Sequence, residues 1–311
     1  MPHLGSRTSR IMLDKFNRMD GSREAHCREN FTTMSQTTTL PDGRTVHCVN
    51  AYEVGYGWHE VVSDDLTERG LDLPADGTYL DVGANIGLFC LRLHDLCPDG
   101  LIFAFEPMPA AFEALKDNAA AMGEKVKANH LALGAAPGQA KFDHYPALSA
   151  LSTGDSAVGK TLADGLKKLL FGQGGASADI RAVIDSTGTY ERLGDEEFIE
   201  HLFQSEEVTA DVDTLDNVVE RFGIDTIDLL KIDTEGQERA VLDGIGPSLW
   251  PRIRQLLVEV HRGPEELQEI RAELEEHGYT TVVEDHPMAQ GGAPVFHIYA
   301  HRPQSVKYHR L

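Results

Sequence analysis

TYLDVGANIG, residues 78–87, runs from an apolar stretch into Asp81, Gly83 and Gly87 within a few positions. A strand that only has to fold can end in any turn, whereas backbone that passes close to a bound molecule needs positions without a side chain. The stretch therefore predicts a strand that opens into a ligand site.

Outward from it, apolar runs alternate with helical patterns. LIFAFE (101–106) reads as a second strand buried on both sheet faces, and IGLFCLRLHDLC between the two has helical length. Phe112, Leu115, Ala119 and Met122 share one face of a 3.6-residue period, and KANHLAL reads as a third strand. In TLDNVVERFG, Leu215, Val218, Val219 and Phe222 share a helical face stopped by Gly223. IDLLKI (227–232) and QLLVEV (255–260) are the fourth and fifth strands. PEELQEIRAELEEHG is a helix entered at Pro264 and closed by Gly278, and YTTVVED and VFHIYA end the pattern as consecutive strands. Such alternation predicts a Rossmann-like α/β domain, with a mostly parallel sheet covered on both faces and one antiparallel addition.

That domain spans 75–311. Residues 1–38 are polar, end in the Thr-rich FTTMSQTTT and read as a flexible arm; they would suit a dimer contact, though nothing in their composition requires one. Residues 39–74 hold a hairpin-like turn and the aromatic AYEVGYGWHEVVSDDL, expected as a lid segment. Residues 146–207 break the alternation with GQGGASA and the acidic DEEFIEHLF, and are expected to cap the substrate, with disorder near Gly172 to Gly175 as the plainer reading.

Composition excludes several functions. Lys and Arg total 28 against 50 Asp and Glu, and a net charge of −22 repels a polyanion, so nucleic acid is not expected as a substrate. Cys27, Cys48, Cys90 and Cys97 form no CxxC pair, which fits a reduced cytoplasm. No run approaches the roughly 20 apolar residues of a membrane span, and MPHLGSRTSRIMLDKF lacks a signal-peptide core, so export and membrane insertion are not expected.

In open parallel sheets ligands sit beyond the carboxyl ends of the strands. Asp81, Gly83, Ala84, Asn85 and Gly87 follow the first strand, and Glu106 and Pro107 follow the second. An acidic residue there can accept from both hydroxyls of a ribose while the first turn admits a nucleoside, which describes an adenosine pocket. GANIGL lacks the third glycine of GxGxxG, which argues against a dinucleotide. Lys231, Asp233, Glu235 and Glu238 follow the fourth strand, and Glu259 and His261 flank the end of the fifth. Acids around one imidazole raise its pKa toward a general base's range; solvated loop charges, or an ion pair of Lys231 with a carboxylate, are the plainer account. Glu238 reads as an acid at a helix N-terminus. His59 and Glu60 either close over the site or form an exposed polar pair on a helix.

DVGANIG, FAFEPMPAAFEAL, TLDNVVERFGIDTIDLLKIDTEGQERAVLDGI and VEVH, in this order over about residues 75–261, together resemble the FkbM family of S-adenosylmethionine-dependent methyltransferases. LPDGRTVHCVNAYEVGYGWHEV is similar to the lead-in of members associated with polyketide and nonribosomal-peptide pathways. The resemblance implies a class I methyltransferase sheet of seven strands, the last antiparallel. It implies Asp81, Gly83, Asn85 and Gly87 around the methionine part of S-adenosyl-L-methionine, Glu106 on its ribose, and the segment from Asn129 to Ala132 near adenine. The expected reaction is O-methylation of a small-molecule hydroxyl, natural-product or sugar-like, free or attached to a carrier protein. His261, assisted by Asp233, is expected to take the hydroxyl's proton. Asp233, Glu235 and Glu259 holding Mg²⁺ is the less favoured route. An N- or carboxyl-directed methyltransferase, or a non-catalytic nucleotide-binding protein on the same fold, is the alternative.

Overall fold

The computed structural model describes residues 36–171, 200–286 and 292–302. Gly172 to Gly175, Cys27 and most of the N-terminal arm lie outside them. The chain opens with a hairpin, β1 (Gln36–Thr39) against β2 (Thr45–Cys48), followed by α1 (Ala51–Ser63). The Thr-rich run expected to belong to a flexible arm thus supplies a strand, because alternate β-branched threonines pair readily across a ladder.

The core sheet takes β3 (Thr78–Val82), β4 (Leu101–Phe105), β5 (Val126–Asn129), β9 (Leu229–Ile232), β10 (Gln255–Val260), β11 (Thr280–Asp285) and β12 (Phe296–His301), in the order β11-β12-β10-β9-β3-β4-β5. Only β12 runs against its neighbours, β10 and β11. Strand order reverses between β3 and β9, so the loops leaving these two parallel strands lie side by side.

Period-two alternation divides the core. Leu80, Val82, Phe103, Phe105, Leu230 and Val258 face one layer, with Val241 and Leu242 of α6 (Glu238–Asp243) and Leu267, Ile270 and Leu274 of α7 (Pro264–Glu276). Tyr79, Ile102, Leu229 and Leu257 face the other, with Phe89 and Leu93 of α2 (Leu88–Leu96) and Leu115 of α3 (Pro109–Met122). On α1, Val54 and Trp58 pack with Ile86 and Ala114. In α5 (Leu215–Phe222), Thr214 caps the first turn by accepting from Asn217 N, and Gly223 ends it in the left-handed region. Phe222 stays exposed, its ring 5.2 Å from that of Phe103 at the sheet margin.

KANHLAL does not form one strand. It enters the core sheet as β5, bends at His130 and Leu131, and continues as β6 (Ala132–Leu133) in a second sheet with β7 (Gly138–His144) and β8 (Glu206–Asp213). The segment expected as an irregular cap leaves from β7 and returns through β8, and contains α4 (Ser156–Phe171).

Gly83 holds the two central loops together. A Cβ at this residue would lie 1.7 Å from the Asp233 carbonyl oxygen, its φ is +82°, and Asp233 N donates to Val82 O at 3.0 Å. Gly83→Ala is expected to lower the unfolding free energy by at least about 3 kcal/mol, against about 1 kcal/mol at Gly43, where φ is +89° but no atom lies within 4 Å of the added carbon. Urea unfolding of both variants checks this; equal losses would contradict it.

Candidate active site

The β3 loop is built around Glu106. Gly83 N and Ala84 N both donate to Phe105 O at 3.0 Å, which turns Asn85 N toward Glu106 Oε2 at 2.8 Å, while Met108 N donates to Oε1 at 2.8 Å. Burial pushes the Glu106 carboxyl up to about 7, although these two amides favour its charge. Each carboxylate oxygen keeps an unused lone-pair direction. Asn85 itself sits at φ +48°, a strained value for a residue with a side chain, and its amide group lies 3.3 Å from Ser149 Oγ. Ser149 also donates to Glu53 Oε2 of α1 at 2.9 Å.

A charged row crosses the carboxyl ends of the central strands. Register places Asp81 beside Lys231 and Glu259 opposite His297, all on the layer shared with Tyr79 and Leu257. Lys231 Nζ is 2.8 Å from Asp233 Oδ2 and 3.5 Å from Asp81 Oδ1, and Cys90 donates to Asp81 Oδ2. Burial opposes the lysine's charge, but Asp233 and Asp81 outweigh it and hold the ammonium's pKa up. Asp233 Oδ1 is buried without a hydrogen-bond partner, and burial and Glu259 together raise this carboxyl.

His261, buried at 3 % exposure, faces carboxylates on both nitrogens: Glu238 Oε1 at 3.1 Å from Nδ1, and Glu235 Oε2 and Glu259 Oε1 at 3.2 Å from Nε2. Burial alone would lower its pKa, but Glu235 and Glu238 reverse the sign and raise it well above the ordinary histidine value. Acids on both nitrogens favour the protonated ring, which supports a holding role for His261 beside the general-base role expected from the sequence. Glu238 is no ordinary helix-terminal acid, since it is fully buried, accepts from Gly236 N and holds the imidazole. Glu235 adopts φ +50°, a strained value that turns it toward the ring.

Two cavities meet here. One of about 350 Å³ is lined by Phe105, Glu106, Pro107, Leu131 and Ala132. The other, about 180 Å³, lies beneath α1 against Glu53, Glu60, Lys231, Glu259 and His297. Gly83, Asn85, Ser149, Ala150 and Asp233 line both. Asn129 does not join them; its side-chain amide donates to the carbonyls of Ala104 and Lys127. His59 is exposed, whereas Glu60, one residue on, reaches His286. Asp81 and Gly87 shape the loop from behind, Asp81 through Lys231 and Gly87 at φ +88°. Glu53, Ser149, His286 and His297 had no sequence signal, since only the assembled register and the α1 packing bring them in.

Among α/β sheets, this strand order with its single reversed member is that of S-adenosylmethionine-dependent methyltransferases, and this chain is one of them. Residues 81–281 match the family model described as the methyltransferase FkbM domain, and the chain belongs to that family. It is 35% identical over 262 residues to the 31-O-demethyl-FK506 methyltransferase FkbM of Streptomyces tacrolimicus, covering 82% of this chain and 93% of that protein. It is 29% identical over 271 residues to the AMB antimetabolite synthetase AmbE of Pseudomonas aeruginosa, covering 85% of this chain and 12% of that one. The crystal structure of methyltransferase FkbM from Methylobacillus flagellatus KT aligns at a TM-score of 0.48 and 12% identity, over 79% of this chain and 50% of that one. Among the described residues no helix is long and apolar enough to cross a membrane.

Removing the central ammonium exposes the cost of the charged row. Lys231→Met is expected to lose about 3–5 kcal/mol of stability near neutral pH, because buried carboxylates are left unpaired. Burial then raises Asp233 further, so the folded chain binds this proton at a higher pH than the unfolded chain does, and the deficit narrows on acidification to about pH 5. Denaturant titrations at several pH values check this; a deficit independent of pH would contradict it.

Proposed function

We propose that the chain methylates a hydroxyl of a natural-product small molecule, with the proton leaving through Asp233. The observation that carries this reading is the buried, unpartnered Asp233 Oδ1 at the wall shared by the two cavities. Oxygen as the acceptor is supported by the relative whose name specifies an O-demethyl compound. The match to part of an antimetabolite synthetase supports a secondary-metabolite setting, and with it an acceptor that is free or attached to a carrier.

The residues fit the cofactor. Glu106 is oriented to accept from a vicinal diol, Leu131, Ala132 and Pro107 offer apolar walls for a base, and the acids at the junction suit a cationic centre. S-adenosylmethionine supplies a methyl group on a positively charged sulfur. The acceptor hydroxyl must give up a proton as its oxygen is alkylated, and Asp233 Oδ1 takes it. Lys231 fixes the other oxygen of Asp233, so the open one stays aimed at the junction. His261, with acids on both nitrogens, serves as a positioning residue that holds Glu235 and Glu259.

Asp233→Asn keeps the shape and removes the proton acceptor, and is expected to depress turnover about 10²- to 10⁴-fold while leaving S-adenosylhomocysteine affinity within a few-fold. Mass spectrometry of reactions with a polyketide bearing one free hydroxyl follows this, and an acetylated control identifies the methylated oxygen. Unchanged turnover, or methylation of the blocked compound, would contradict the reading. Glu106→Ala is expected to weaken S-adenosylhomocysteine binding roughly 10- to 100-fold by loss of charged hydrogen bonds, measured by calorimetric titration. Undiminished affinity would remove Glu106 from the nucleoside site.

A further inference from the structure

We propose that Glu259, His286 and His297, joined by Glu60, bind a divalent transition metal of the zinc class at the side of the smaller cavity. The residues come from four elements. Glu259 is on β10, His297 lies opposite it on β12, His286 follows β11, and Glu60 projects from α1. Donor atoms of Glu259, His286 and His297 all lie within 4.8 Å of one another. His297 Nε2 is 3.1 Å from Glu259 Oε2, His286 Nε2 is 3.6 Å from Glu259 Oε1, and His286 Nε2 also contacts Glu60 Oε1.

The donor chemistry selects the metal. Two imidazoles with carboxylates suit zinc and its neighbours, whereas magnesium takes oxygen ligands. The ring of His297 is already oriented from behind, with Nδ1 3.3 Å from the Tyr299 hydroxyl, which donates to Asp64 Oδ2 at 3.0 Å. Such an outer partner fixes which nitrogen faces the ion. A second sign is the Tyr56 hydroxyl, buried without a hydrogen-bond partner in the field of Glu60 and Glu259. Composition points the same way, since the wall of this cavity carries Glu53, Glu60, Asp64, Asp233 and Glu259 against Lys231 and His297. A bound sulfonium accounts for part of that excess, but it gives no reason for two imidazoles beside these carboxylates.

The neighbouring group of Asp233, Glu259 and His261 is less suited. Its histidine is held on both nitrogens by acids, and the Lys231 ammonium lies 2.8 Å from its aspartate, where it would repel a cation.

The test is independent of methyl transfer. Untagged full-length protein is stripped with a chelator, titrated with Co²⁺ and followed by its visible absorption, then dialysed against Zn²⁺ and assayed for metal content. The expected result is about one tightly held ion per chain that excess Mg²⁺ does not displace, with affinity lowered at least about tenfold in His297→Gln and in Glu60→Gln. Glu60→Gln keeps the side chain's shape on a partly exposed helix face, and an unchanged unfolding midpoint shows that its fold is intact. Absence of stoichiometric binding to the intact protein, or affinity in the two variants equal to that of the intact protein, would overturn the assignment.

Discussion

The approach of Gly83 to the Asp233 carbonyl is the constraint on which the site depends. Two parallel strands at the reversal of sheet order send their loops the same way, and only a residue without Cβ, at positive φ, lets those loops touch backbone to backbone. Once they touch, Asp233 is fixed at the wall shared by both cavities. Asn85 is turned so that its amide meets Glu106. The glycine that reads as room for a ligand is first of all room for the neighbouring loop.

Electrostatics then assigns different duties to similar side chains. Of the carboxylates gathered here, Asp81 is matched to Lys231 and a thiol, Glu238 to an imidazole and backbone amides, and Glu106 to two amides. Among the acids with a buried oxygen that lacks a hydrogen-bond partner, Asp81, Asp233, Glu238 and Glu266, Asp233 is the one that lines both cavities. An unmatched buried acid oxygen at a cavity wall marks where chemistry has room to occur. His261, with acids on both nitrogens, belongs to the supporting frame.

Much of this was legible in the sequence because it was written in short-range patterns. The core strands after Tyr79, Ile102, Leu229 and Leu256 are dense apolar runs, and α3, α5 and α7 carry clean helical faces between cap residues. What failed had no such pattern. β7 is GQAKFDH, polar and largely uncovered, so no apolar alternation announces it, and β6 has only two residues. Residues at strand ends could be named from position alone, which is how Glu106, Asp233 and Glu259 were found. His286 and His297 could not, because their relation to Glu259 depends on the antiparallel register of β12. Asn129 was misplaced by one turn of detail: the bend after β5 lets its amide satisfy two carbonyls, and it is Leu131 and Ala132 that reach the cavity.

The most direct measurement of the central claim is a crystal structure of the protein with S-adenosylhomocysteine. The account predicts ribose hydroxyls on Glu106, the base against Leu131 and Ala132, and the thioether sulfur directed toward Asp233 across the Gly83 loop. A nucleoside bound elsewhere, or a sulfur facing away from Asp233, would contradict it.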